Sequence, residues 1–169
     1  MRGTFVVGLT LVTVFTVPAS LWAKGATVKV AIRGAGLAAP IEITGRSILA
    51  DFNVWDGPGT YINNAEQTKG FIIDWSQGIV ANLPEGLPVY EVSFYTRYSD
   101  SLPDEPPALV YVVSYAYDAS TRQGYVYLPD SQLNKRSIWH GHGFEGNWLR
   151  ATNAWRDVVT PLLAKAKTE

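Results

Sequence analysis

The chain has 169 residues, 47% hydrophobic and 17% charged, with 14 basic against 15 acidic residues and no cysteine. Such a near-neutral mixture lacks the basic footprint of nucleic-acid binding and the polybasic attraction to anionic lipid. The missing cysteines exclude thiol catalysis, iron–sulfur clusters, cysteine-type zinc sites and disulfide staples, so the core alone must hold the fold.

Met1-Arg2-Gly3-Thr4 opens the chain, and Phe5 to Val17 follows as an apolar run interrupted only by Gly and Thr. At about 13 residues the run suits a signal-peptide core and falls short of the roughly 20 that a spanning helix needs. Pro18-Ala19-Ser20 then breaks it and supplies small residues. The expectation is a secretion signal over residues 1–23, cut after Ala23, although Leu21 is large for the −3 position. A cut after Ala19 is the alternative, and an uncleaved membrane anchor is the plainer competing reading. Arg2 is the only charge lost, so the basic count falls from 14 to 13 against 15 acidic residues, a net of −2. Residues 24–169 are expected to form one globular domain with no further membrane span, exported to the periplasm or the extracellular space.

Thr27 to Arg33 alternates, with Val28, Val30 and Ile32 on one side and Lys29 and Arg33 on the other, which predicts a half-buried strand. Gly34-Ala35-Gly36 predicts a turn, and Pro40 to Thr44 a strand pairing back as a hairpin. Thr44 or Ser47 can cap a short helix with Ile48, Leu49 and Phe52 on one face. Asp56-Gly57-Pro58-Gly59 is a turn signal, residues 60–69 read as loop, and Gly70 to Trp75 as a short strand.

Val89 to Tyr98 predicts a strand with Tyr90, Val92, Phe94 and Tyr98 on one face, and Glu91, Ser93, Tyr95 and Arg97 on the other. Ala108 to Tyr117 is nearly all apolar, as in a central strand covered on both faces. Asp118 to Gly124 forms a hairpin loop, Gly124 to Pro129 the returning strand, and Ser137-Ile138-Trp139 an additional edge strand. Ala154, Trp155, Val158, Val159, Leu162, Leu163 and Ala166 fall on one face of a C-terminal amphipathic helix capped by Thr152 or Asn153. Pro161 interrupts that pattern, and either a kink or a fresh start at Thr160 accommodates it. These elements predict an α+β fold. An antiparallel sheet of about five to seven strands carries a short helix from the N-terminal half and the C-terminal helix on one face.

No pattern of catalytic or cofactor residues is complete. His140 and His142 point to one side of an extended segment and, with Glu145, could clamp a metal, but His pairs in Gly-rich loops are common without one. Asp74-Trp75-Ser76-Gln77-Gly78 has Asp where a nucleophile elbow needs Gly, and reads as a local turn. Asp51 to Gly57 has near-calcium-loop spacing, but Ile62 stands where the bidentate Glu is required. Gly34-Ala35-Gly36-Leu37 lacks the third glycine of a dinucleotide fingerprint, and no cofactor is expected. A carboxylate pair for glycoside hydrolysis could be drawn from Asp51, Asp56, Asp74, Glu91 and Glu145, and sequence spacing does not choose among them.

The surplus of aromatics, 6 Trp and 9 Tyr, is the more suggestive feature. Tyr111, Tyr115 and Tyr117 share one strand face, and Tyr125 and Tyr127 share a face of the next strand. Paired, they could form a single ligand platform, or they could be the floor beneath the C-terminal helix. The favoured reading is a non-enzymatic module binding a ligand, glycan or envelope protein. A carboxylate-dependent hydrolase and a protein pairing through a sheet edge are the alternatives.

Two stretches carry a resemblance: Gly36-Leu37-Ala38-Ala39-Pro40-Ile41-Glu42-Ile43-Thr44 continuing to Phe52-Asn53-Val54-Trp55-Asp56-Gly57-Pro58-Gly59-Thr60, and Gly146 to Trp155. Together they resemble a group of short exported bacterial proteins without an assigned activity. The resemblance implies export and a bacterial envelope location, and it transfers no site.

Overall fold

The alternating segments pair into one antiparallel sheet, seen in a computed structural model that describes residues 25–58, 61–62, 65–66, 71–98, 102, 104–130 and 143–167. The expected signal over residues 1–23 and the edge strand at Ser137–Trp139 lie outside the described residues. Seven strands are joined in the order β2-β1-β6-β7-β8-β9-β5. They are β1 (Ala26–Gly34), β2 (Ile41–Ile43), β5 (Ile79–Val80), β6 (Val89–Arg97), β7 (Ala108–Asp118), β8 (Gln123–Leu128) and β9 (Asn147–Arg150). Strands β3 (Tyr61–Ile62) and β4 (Ala65–Glu66) form a separate two-stranded ladder inside the stretch expected to be loop. The α+β expectation holds: α1 (Arg46–Leu49) comes from the N-terminal half, and α2 (Asn153–Ala166) lies on one face of the sheet.

Strands β6 to β9 form a sequential meander, with β1–β2 added on one side and β5 on the other. The connection from β2 to β5 therefore runs from one edge of the sheet to the opposite edge. It covers the same face as α2, because its buried Phe52 and Phe71 meet residues of that face and of the helix. Phe52 stands edge-on to Trp155 at 5.2 Å between ring centres, and Phe71 lies 4.8 Å from Phe94 and 6.0 Å from Tyr111.

Trp155, fully buried on α2, is the centre of this layer, with Phe94 at 6.3 Å and Tyr115 at 6.1 Å. Beneath it lie Val30 and Ile32 of β1, Tyr90, Val92 and Phe94 of β6, Tyr111, Val113 and Tyr115 of β7, and Val126 and Leu128 of β8. Thr152 accepts a hydrogen bond from the Trp155 N–H at 3.2 Å, which fixes where α2 begins. Pro161 neither ends nor restarts α2, which continues as one helix to Ala166.

Four local expectations need correction. A register irregularity between Thr27 and Lys29 turns Thr27 inward and leaves Val28 half-buried, so the alternation in β1 is clean only from Val30. The N-cap of α1 is Gly45, with no side-chain bond from Thr44 or Ser47, and Ile48 is exposed. Phe71, Ile72 and Ile73 are buried as a strand core would be, yet they form no strand. A single bridge joins Ile73 to Ala151, flanked by Asp74 N–H to the Arg150 carbonyl and Thr152 N–H to the Ile72 carbonyl, each 2.9 Å. Finally, β5 and β9 are strands where the sequence pattern predicts none.

Both sheet edges are short, three residues at β2 and two at β5. The part of β1 that β2 leaves unpaired is covered by the chain after α1. Val54 N–H reaches Thr27 Oγ1 at 3.4 Å, and the Trp55 indole N–H donates to the Gly25 carbonyl at 2.8 Å. Gly25 cannot carry a side chain there, since a Cβ would lie 2.4 Å from the Arg97 carbonyl oxygen.

Candidate functional site

The register of β7 with β8 decides what the five tyrosines can do. Tyr115 pairs with Val126, Ala116 with Tyr125 and Ser114 with Tyr127. Tyr125 and Tyr127 therefore point away from the face that holds Tyr111, Tyr115 and Tyr117, and the five do not form one platform. The physical reason is parity: one residue of register sends a whole strand face to the other side. Tyr111 and Tyr115 are buried beneath α2 and its neighbours. Tyr127 packs against Trp148 on the opposite face, with the rings tilted and their centres 5.3 Å apart. Tyr117, half-buried at the end of β7, lines a concave surface.

That surface is a groove between α2 and the β7–β8 hairpin. Its floor is Tyr90 and Tyr117, from neighbouring strands. One wall is α2, from Arg156 to Ala164, and the other is the hairpin loop. The groove has two lobes that share Tyr117 and Thr160. The first, about 480 Å³, is closed by Leu87 and Pro88 before β6, by Leu163 and Ala164 of α2 and by Asp118, Ala119 and Ser120 of the loop. Its lining is mainly apolar, and Lys167 stands at its rim with Nζ 5.8 Å from the centre of the Tyr90 ring. The second lobe, about 650 Å³, is polar, with Thr121 and Arg122 from the loop facing Arg156, Asp157 and Pro161 of α2.

Hydrogen bonds within the loop hold the hairpin wall. Asp118 Oδ1 accepts from the Ser120 hydroxyl at 2.6 Å and N–H at 2.9 Å, and Oδ2 accepts from the Thr121 hydroxyl at 2.8 Å. These bonds pull the Asp118 carboxyl down to about 2. Arg122 then takes the left-handed conformation, with φ +55°, which is uncommon for a residue with a Cβ. Its carbonyl accepts from Arg156 Nη1 at 3.2 Å, so Arg156 ties the helix wall to the hairpin wall. The same guanidinium pairs with Asp157 Oδ1 at 3.0 Å.

Under the groove, the Tyr115 hydroxyl, the Trp155 indole N–H and the Thr160 hydroxyl are buried with no hydrogen-bond partner among the described residues. Burial pushes the Tyr115 hydroxyl well above the ordinary tyrosine value, and neighbouring Tyr117 adds to the shift. The ring of Tyr115 lies against Gly124, where a Cβ would come within 2.7 Å of its oxygen.

The other candidates are placed as follows. His140 and His142 lie outside the described residues. Glu145 is half-buried in the turn before β9, where its carbonyl accepts from Asn147 Nδ2 at 3.0 Å. Among the described residues no cluster of three or more His, Cys, Asp or Glu could hold a metal. Asp74 and Ser76 form the expected local turn, a 3₁₀ turn over Trp75–Gln77 with the Ser76 hydroxyl donating to Asp74 at 2.6 Å. Asn53, within the near-calcium loop, accepts from the Trp55 N–H at 3.2 Å and donates to Asp56 at 3.0 Å, so these side chains close their own turn. None of Asp51, Asp56, Asp74, Glu91 and Glu145 lines either lobe of the groove. Among the described residues, no helix is long and apolar enough to cross a membrane.

In comparison with known proteins, the chain matches no family profile, no curated protein and no solved structure. The class it defines is therefore structural: a cysteine-free α+β domain with helix α2 and the β2–β5 connection on one face of a seven-stranded antiparallel sheet.

Proposed function

We propose that this protein is an exported, extracytoplasmic binding module, not an enzyme, whose ligand lies in the groove between α2 and the β7–β8 hairpin. One observation carries the reading. The apolar and polar lobes open side by side and share Tyr117 and Thr160, so one molecule can touch both. Each lobe falls within the range of small-ligand sites, about 300 to 1,000 Å³, and the pairing of apolar surface with a few polar groups is what such sites show. Of the five tyrosines singled out in the sequence, Tyr117 is the contact residue, and buried Tyr115 lies beside the floor residue Tyr90 across the β6–β7 pairing. The run at the N-terminus supports export. Edge strands of three and two residues offer little ladder to a partner strand, which weighs against pairing through an edge.

A thermal-shift screen tests the reading, because a ligand selective for the native state raises its apparent stability. The panel would hold sugars, envelope fragments, small anions and amphiphiles. Ala164 is exposed on the helix wall, so Ala164→Phe fills the apolar lobe while leaving the core intact. A ligand that shifts the wild type and not Ala164→Phe is expected. If every shift survives in the variant, the groove is not the binding site.

A further inference from the structure

We propose that the groove takes a single-chain amphiphile with a carboxylate head, its chain in the lobe floored by Tyr90 and its head against Arg122 and Arg156. This rests on the binding reading above and specifies its ligand class.

Charge complementarity chooses the head. The polar lobe holds two guanidinium groups and one carboxylate, Asp157, which is already paired with Arg156. The Arg122 side chain is exposed and makes no hydrogen bond or ion pair with the described residues. Guanidinium presents a planar fork of donors that matches a carboxylate in a bidentate pair. The second acidic side chain near by, Asp118, is engaged by Ser120 and Thr121 and belongs to the wall of the apolar lobe.

The shape of the other lobe chooses the tail. Leu87, Pro88, Leu163 and Ala164 supply aliphatic surface around the Tyr90 ring. A hydrocarbon chain seated there leaves water for apolar surface, which is favourable in proportion to the area buried. A sugar would find few donors and acceptors in this lobe, and a cationic amphiphile would meet Lys167 at one end and Arg122 at the other. A carboxylate amphiphile satisfies both lobes at once, with Tyr117 at the junction of head and tail.

Isothermal titration of the protein with decanoate, decanol and decyltrimethylammonium, each kept below its micelle concentration, tests this. Decanoate is expected to bind at least tenfold more tightly than decanol, with no binding of the cationic probe. Arg122→Gln should weaken decanoate at least tenfold, and Arg122→Lys, which keeps the charge and loses the fork, by less. Ala164→Phe should abolish the binding. Unchanged melting temperatures of the Arg122 variants would show that the wall still folds. Equal binding of decanol and decanoate, both lost in Ala164→Phe and indifferent to Arg122, would overturn the anionic head while leaving the groove as a binding site. Decanoate binding that survives Ala164→Phe, or no binding of decanoate at all, would overturn the proposal. In the latter case the screen of the preceding section still judges the groove independently.

Discussion

The two faces of the sheet are buried by different means. Beneath α2 the inward positions are large, and Tyr90, Val92, Phe94, Tyr111 and Tyr115 are at 1% exposure or less. On the face turned away from α2 the buried positions are mostly small, Ala31, Ser93 and Ala116, with the larger Tyr125 beside Ala116 at 7% exposure. Their neighbours there are the half-buried Tyr95, Tyr127 and Trp148 and the exposed Arg33 and Glu91. The difference teaches that one period-two pattern can serve two ends. The first face excludes water by packing against a second layer, while on the second face long side chains screen the small ones between them.

The largest test of that contrast sets Trp155 against Tyr127. Trp155→Ala should lower stability by about 3–5 kcal/mol, as large-to-small changes in a packed core do. Tyr127→Ala should lose about 1 kcal/mol or less, the worth of an aromatic pair at a half-buried site. Denaturant midpoints with unchanged slopes would read both, and equal losses would erase the distinction between the faces. Next comes Gly124→Ala, whose Cβ would meet Tyr115 Oη at 2.7 Å and Ala151 Cβ at 3.0 Å. A loss of roughly 1–3 kcal/mol is expected from this overpacking, and the double variant with Tyr115→Phe should recover part of it.

Tyr115→Phe alone sharpens the comparison further, because it removes a buried hydroxyl with no hydrogen-bond partner among the described residues. Deleting an unsatisfied polar atom should be neutral or raise stability by up to about 1 kcal/mol. A clear loss would reveal a hydrogen bond at that oxygen. The smallest effect concerns the hairpin loop, away from both faces. The Asp118 carboxyl is held at about 2, below its ordinary 3.8. A lowered carboxyl favours the folded state above pH 4 and loses that contribution as pH falls toward 2. Asp118 lies on the hairpin at the molecular surface, where solvent screens its charge, so the expected change is slight. It would be read as a melting temperature that converges with that of Asp118→Asn in acid.

Much of this architecture was legible because the long strands announce themselves. β1, β6, β7 and β8 all follow runs in which aromatic and branched residues alternate or crowd, and α2 follows an apolar face of which Trp155, Val159 and Leu163 are buried and Ala154 is exposed. β9 was not legible because Asn147-Trp148-Leu149-Arg150 buries one side chain alone, Leu149, and β5 is too short to show a period. Phe71-Ile72-Ile73 was misread because apolar content reports burial, not ladder pairing. The groove was legible only through Tyr117. Leu87, Arg122 and the α2 pair Arg156 and Leu163 converge from three segments, and no local spacing links the three. The β7–β8 register was lost for the smallest reason, a loop boundary: Asp118 pairs with Gln123, and that one-residue matter of parity sends Tyr125 and Tyr127 to the far face.

The order of the strands also sets a sequence of events in time. The meander β6 to β9 can zip from neighbouring hairpins, whereas β1 reaches β6 only after everything from β2 to β5 has been looped out between them. Closing so long a loop is entropically unfavourable and slows the contacts that depend on it. The pairing of β1 with β6 is therefore expected to form later than the β6–β7 and β7–β8 hairpins. In the native state β1 and β2 are the part expected to open first, with amide hydrogens that exchange sooner than those of β7.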